Sequence, residues 1–326
     1  MEESGFFDCC IRQTGRKERL GMNHKPYSGR LLAGLAAIVF AAVACGSTSA
    51  PAATSKGNIT IAGFAFSEGS VLAELYGQAL QHDGYKVTFK LNLGSREVVA
   101  PAIQSGQVDV YIGYAATDLE YYNKGAGEAT GDPDATTSKL NSHLQSLGLV
   151  ALKPSAAVDQ NAFAVTKATQ QKYSLAKLSD LQPVAGQLVL GAGPECPTRP
   201  YCLPGLMSSY GLHFKSFKAL DTDGSLTRAA FKNGSIDVGL VFSSDGDLNS
   251  LGLVVLQDDK HLEAADNVVP ILRSAVANDE AKKVLNGISA KLTTSDLVTL
   301  NSQVQIQHQD PDAVAKAWLE QHNYGS

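Results

Sequence analysis

An internal repeat constrains this chain more than any other feature. Residues 102–114 read A-I-Q-S-G-Q-V-D-V-Y-I-G-Y, and residues 230–242 read A-F-K-N-G-S-I-D-V-G-L-V-F. At one constant offset Ala102 meets Ala230, Gly106 meets Gly234, Asp109 meets Asp237 and Tyr114 meets Phe242. Upstream, Gly94-Ser95 is echoed by Gly224-Ser225. Each copy reads as a helix, a glycine turn and a buried strand. Either two βα units resemble each other by chance, or the chain builds two lobes of one design. Both lead to the same fold class. Asn58-Ile-Thr-Ile-Ala-Gly63, Lys86-Val-Thr-Phe-Lys-Leu91 and Val108-Asp-Val-Tyr-Ile112 read as strands. They alternate with helical spacing over 70–82 and after Ser95, which stands where a helix N-cap belongs. The pattern predicts an α/β protein of two lobes with largely parallel sheets.

Open α/β sheets bind ligands outside the carboxyl ends of their strands. Tyr114 and Phe242 close corresponding strands, so both are expected to face a cleft between the lobes. Two aromatic rings at matched positions suit a ligand with a cationic or apolar head. The competing reading is that each ring caps the core of its own lobe. Near the end, 278–292, 295–304 and 312–322 show helical spacing, with starts at Thr294-Ser-Asp-Leu and Asp310-Pro-Asp. These helices are expected to return to the first lobe, so that the chain crosses the hinge twice.

The opening residues follow a different plan. Lys25 and Arg30 precede an apolar run from Leu31 to Ala44. That is a positive region and hydrophobic stretch of secretory length, short of the ~20 residues a membrane-spanning helix needs. It ends in Ala42-Val43-Ala44-Cys45, which resembles a bacterial lipobox with Ala42 in place of the usual Leu. On this reading Cys45 is lipidated and becomes the mature N-terminus; the alternative is simple cleavage after Ala44. The small polar stretch 46–57 reads as a flexible tether. Met22 begins a signal of ordinary length, which leaves 1–21, with Cys9 and Cys10, as an over-extended start. The expected boundaries are a leader over 1–45, a tether over 46–57, a first lobe over 58–157 and 245–326, and a second lobe over 158–244.

Beyond the leader only Cys196 and Cys202 remain, six positions apart. In an exported chain such a pair reads as a local disulfide. No further ligands stand near enough for a zinc site. The formal charge of −5 argues against a basic nucleic-acid surface. No Gly-x-Ser-x-Gly, His-Glu-x-x-His or phosphate-binding glycine loop occurs, and the seven histidines are scattered. The chain is therefore read as a binder that uses no cofactor and no metal, not as an enzyme.

Eight segments, in order and spacing, resemble the glycine betaine/carnitine/choline-binding lipoproteins of osmoprotectant ABC importers. They are Glu74-Leu-Tyr-Gly-Gln-Ala-Leu80, Leu93-Gly-Ser-Arg-Glu-Val-Val99, Phe163-Ala-Val-Thr-Lys167, Lys177-Leu-Ser-Asp-Leu181, Cys196-Pro-Thr-Arg-Pro-Tyr-Cys202, Val241-Phe-Ser-Ser-Asp-Gly246, Leu256-Gln-Asp-Asp-Lys-His261 and Lys291-Leu-Thr-Thr294. The resemblance implies a type II periplasmic-binding fold with two crossover strands. It also implies an aromatic cage for a quaternary ammonium, polar or basic groups for a carboxylate, and ABC permease and ATPase partners. The lipid anchor would hold the chain at the extracytoplasmic face of the membrane.

Carried over by position, Tyr114 and Thr117 match a family Glu-Tyr-Thr-Gly-Thr segment, from which Gly113, Ala115 and Ala116 depart, and Phe242 replaces a cage tyrosine. Arg199 falls on a carboxylate-binding arginine; it reads equally as a surface arginine of the disulfide loop. Asp159 and Asn161 match the lobe crossover, as ligand contacts or as hinge hydrogen bonds. In Ala62-Gly-Phe-Ala-Phe-Ser-Glu68, Phe64 replaces a polar or basic residue, whereas Phe66, Ser67 and Glu68 keep the pattern. Phe64 is read either as an added cage wall or as a lost carboxylate contact. A cage tyrosine expected near Leu226-Thr-Arg228 is absent. The solute is thus left open among betaine, choline, another quaternary amine and a larger apolar, polyol-like molecule; a ligand-sensing role for the same fold is the further alternative.

Overall fold

The repeated segment folds the same way twice. The computed structural model describes residues 55–248 and 250–324; the leader, Cys45 and tether residues 46–54 lie outside them. The first stretch runs β1 (Asn58–Ala62), α1 (Ser67–His82), β2 (Lys86–Lys90), α2 (Arg96–Gln104), β3 (Val110–Tyr114), α3 (Ala115–Tyr122), α4 (Pro133–Leu144) and β4 (Leu149–Ala151). The second runs β5 (Asn161–Thr166), α5 (Lys167–Tyr173), β6 (Val189–Ala192), α6 (Leu203–Tyr210), β7 (Ser216–Ala219), α7 (Ser225–Lys232), β8 (Val238–Phe242) and β9 (Leu253–Leu256). The chain ends with β10 (Val268–Arg273), α8 (Asp279–Ser289), α9 (Thr294–Gln305) and α10 (Pro311–Gln321).

The strands form two five-stranded sheets, ordered β2-β1-β3-β10-β4 and β7-β6-β8-β5-β9. Position by position these orders coincide. In each, three parallel strands are followed by one antiparallel strand from across the hinge: β10 against β3, and β5 against β8. The repeat's shared residues explain the shared fold. Gly106 and Gly234 both sit at positive φ (76° and 69°), where a side chain would be strained. Asp109 Oδ2 accepts the Thr60 amide at 2.8 Å, and Asp237 Oδ2 accepts the Val189 amide at 2.9 Å. Each aspartate thus ties the start of the third strand to the first.

The chain crosses between lobes twice, after β4 and after β9, and the two crossings touch through a bridge between Val158 and Asn267. One expected boundary is corrected. The first lobe does not resume at 245, because β9 pairs with β5 in the second sheet and the return comes only at β10. The end of the tether is also docked rather than free: the Lys56 amide donates to Gly84 O at 3.0 Å, and its Nζ meets Asp83 at 2.9 Å.

The first lobe's core is centred on α1, which buries Val71, Leu72, Leu75, Tyr76 and Leu80. The closing helices complete it with Leu285, Ile288, Leu297, Leu300, Val314 and Trp318. Those side chains account for the return of the last three helices to the first lobe. At ~1.5–3 kcal/mol for each large apolar side chain buried, this packing dominates the lobe's stability.

Candidate functional site between the lobes

Strand ends and helix starts converge on the gap between the sheets. One cavity there is lined by Phe64, Phe66, Tyr114, Thr117, Asp159, Asn161, Arg199 and Phe242, all eight of the residues expected to contact ligand. Phe64 and Phe66 come from the β1–α1 loop, Tyr114 from the end of β3, and Phe242 from the end of β8 in the other lobe.

The four rings touch. Phe64 and Phe66 stack with centroids 5.7 Å apart, and Tyr114 lies 6.5 and 6.4 Å from them. Phe242 reaches across the cleft to 5.1 Å from Phe66. Phe242 therefore reaches the other lobe, whereas Tyr114 packs on rings of its own lobe while lining the cavity. The Tyr114 hydroxyl donates to Glu68 Oε1 at 2.6 Å. This bond to a carboxylate enriches the ring in electron density, which strengthens its attraction for a cation.

Behind the rings lies a buried polar network that the sequence reading did not assign to the site. Glu68 Oε2 accepts from Ser244 Oγ at 2.7 Å and from Asn301 Nδ2 at 2.6 Å, joining α1, the β8 end and α9. Arg96, at the start of α2, donates to both oxygens of buried Asp118 at 2.7 and 3.3 Å. Asp118 also accepts from the Tyr111 hydroxyl and the Tyr114 amide. The Arg96 guanidinium lies 5.3 Å over the Phe64 ring. Phe64, at the position expected from the resemblance to be polar or basic, is thus a ring that stacks on an arginine from the next helix.

Thr117 donates its amide to Asp266 Oδ1 at 2.9 Å and its hydroxyl to Oδ2. Asp266 lines the cavity from the second crossing. Asp159, on the first crossing, accepts the Ser244 amide at 3.0 Å. Asn161 donates to Tyr201 O at 3.3 Å, across the second lobe. Among the described residues neither Asp159 nor Asp266 forms an ion pair. Burial pushes the carboxyls of Asp159 and Glu68 above their usual range, and their mutual repulsion adds to it for Asp159. Burial likewise raises Asp266 to about 6.

Arg199 is placed by the disulfide loop. Cys196 and Cys202 are bonded, with Cα atoms 5.2 Å apart. The loop holds Arg199 over the cleft, where Nε and Nη2 donate to Glu97 of the other lobe at 3.2 and 2.9 Å. Arg199 is therefore neither a free surface arginine nor a free carboxylate receptor. The position where a cage tyrosine was expected holds Arg228, turned into the second lobe against Asp247 and Asp223.

Residues 57–321 match the family described as the substrate binding domain of ABC-type glycine betaine transport systems. The chain belongs to this family. Relatives of this binding domain include a glycine-betaine-binding protein of Pseudomonas aeruginosa, 29% identical over 86% of this chain and 93% of that protein. The carnitine transport binding protein OpuCC of Listeria monocytogenes is 27% identical over 83% of this chain and 89% of its own length. A crystallised glycine betaine/carnitine/choline ABC transporter protein superposes with a TM-score of 0.63 at 25% identity, over 82% of this chain and all of that one. The type II periplasmic-binding fold of the family is the fold of this domain, and its relatives are transport binding proteins rather than enzymes.

Proposed function

We propose that this chain captures a quaternary ammonium solute in the cavity between its lobes and delivers it, unchanged, to the permease and ATPase of an ABC importer. The observation that carries the reading is one cavity with four aromatic rings, three from one lobe and one from the other, beside the unpaired carboxylates of Asp159 and Asp266. A trimethylammonium group donates no hydrogen bond, so ring faces and negative charge must hold it; each ring contributes ~0.5–2 kcal/mol. Thr117 from the first lobe and Asn161 from the second line the same cavity. Because Phe66 and Phe242 belong to different lobes, a solute touching both favours their approach, and binding stabilises the closed hinge.

The test is calorimetric titration of the body from Gly57 with glycine betaine, choline, carnitine and proline betaine. Small-angle scattering of the same samples reads closure. Saturable micromolar binding of at least one, with a fall in radius, is expected, and Phe242→Ala should weaken it ~3–30-fold. Binding of none overturns the reading. Lipidation of Cys45 would hold this body at the extracytoplasmic face of the membrane. A mature chain whose N-terminal mass is that of unmodified residues would remove the anchor.

A further inference from the structure

Both cations that line the cavity are already committed to carboxylates of the chain itself. Arg96 is neutralised by Asp118 through two hydrogen bonds. Arg199 gives Nε and Nη2 to Glu97, and its Nη1 lies 3.7 Å from Glu195 Oε1. Glu97 is firmly ionised there, its carboxyl held down to about 2 by Arg199 and the Ser95 hydroxyl. Asp159 and Asp266 face the same space with no cation of their own, and Glu68 lies directly behind Tyr114. Lys124 stands exposed on the rim of the adjoining cavity.

A solute carboxylate entering this space meets carboxylates, not a waiting guanidinium. To reach Arg199 it must first displace Glu97, which closes the fork side-on as a ligand carboxylate would. We infer that Glu97 acts as a built-in stand-in for a solute carboxylate, so that the site prefers quaternary amines without an acid group over zwitterions. Glu97 is then a specificity residue that acts on the far end of the solute, away from the trimethylammonium head. This deepens the reading of the cavity as a quaternary-ammonium site and rests on it.

Choline and glycine betaine share the trimethylammonium head and differ in having a hydroxyl or a carboxylate at the other end, so they isolate the effect. Titration of the wild-type body should give choline at least about tenfold tighter than glycine betaine, the scale of one hydrogen bond to a charged group. Glu97→Gln frees Arg199. It should tighten glycine betaine by about tenfold or more and leave choline within about threefold. In Glu97→Gln/Arg199→Gln the gain for glycine betaine should vanish. Glu97 is 40% exposed in its side chain, so its replacement leaves the core intact; thermal unfolding of each variant checks this. Glycine betaine binding as tightly as choline in the wild type, or no change on Glu97→Gln, overturns the assignment while leaving a quaternary-ammonium site standing. Binding of neither solute by any variant overturns the underlying reading as well.

Discussion

At the scale of single residues, Arg96 and Asp118 organise the site more than the rings they support. Both are buried, and Asp118 holds the Tyr111 hydroxyl, the Tyr114 amide and Arg96 at once. Removing one partner of a buried ion pair leaves the other charge uncompensated, at a cost of ~3–5 kcal/mol. Arg96→Ala is therefore expected to lower the urea midpoint markedly, with Arg96→Lys recovering part of the loss; an unchanged midpoint would show that the pair contributes little. Arg96 stood in plain view in Leu93-Gly-Ser-Arg-Glu-Val-Val99, yet its role was not legible. Nothing in the sequence couples it to an aspartate 22 positions away. The available signal was its place just after a strand and a glycine, at the start of a helix that an α/β fold points at the cleft. Glu68 shows the same limit: its partners Tyr114, Ser244 and Asn301 come from three distant stretches.

At the scale of elements, the repeat was the most legible part. Gly106 with Asp109, and Gly234 with Asp237, each specify a turn and a strand start by local backbone chemistry, so their pairing in sequence becomes a pairing in fold. The closing helices were legible for a similar reason. The start of α9 was expected at Thr294-Ser-Asp-Leu; the N-cap is one residue earlier, where Thr293 accepts from the Asp296 amide and Asp296 accepts in return in a capping box. Ser95 shows the weaker side of such reasoning. It occupies the N-cap position of α2, but its hydroxyl donates to Glu97 at 2.6 Å instead of capping the backbone. At the matching helix, Asp221 caps α7 from outside it, accepting the amides of Gly224, Leu226 and Thr227. The lobe boundary failed at β9 because Leu253-Val-Val-Leu256 reads as a strand in either lobe. Only its pairing with β5 assigns it to the second.

At the scale of the whole molecule, carboxylates gathered from both lobes and both crossings give the cavity a charge that depends on pH. Burial raises the carboxyl of Asp266 from its ordinary 3.8 to about 6, and burial raises those of Asp159 and Glu68 as well. Between these limits the folded chain holds more protons at Asp266 than the unfolded chain. Its contribution to stability is present below 3.8 and is lost as pH rises through about 6. Solute binding runs the other way, because a cation favours the ionised carboxylate. Choline affinity is expected to weaken by up to about tenfold between pH 7 and pH 5, one unit below that midpoint, while the unliganded body becomes more stable. Titrations at the two pH values check the first trend and thermal unfolding the second; affinity that rises on acidification would exclude Asp266 as a cation contact.

The sequence by itself determined the two-lobed α/β plan, the local disulfide and the rings that meet in the cleft. Each of these is encoded by short-range chemistry or by residues at strand ends, which the fold class places in advance. Only the tertiary structure decided that Arg199 closes on Glu97, that Arg96 is neutralised by Asp118, and that the second lobe runs on through β9. Those outcomes depend on which distant side chains share a buried or bridged space, and charge pairing between lobes has no period along the chain from which it could be read.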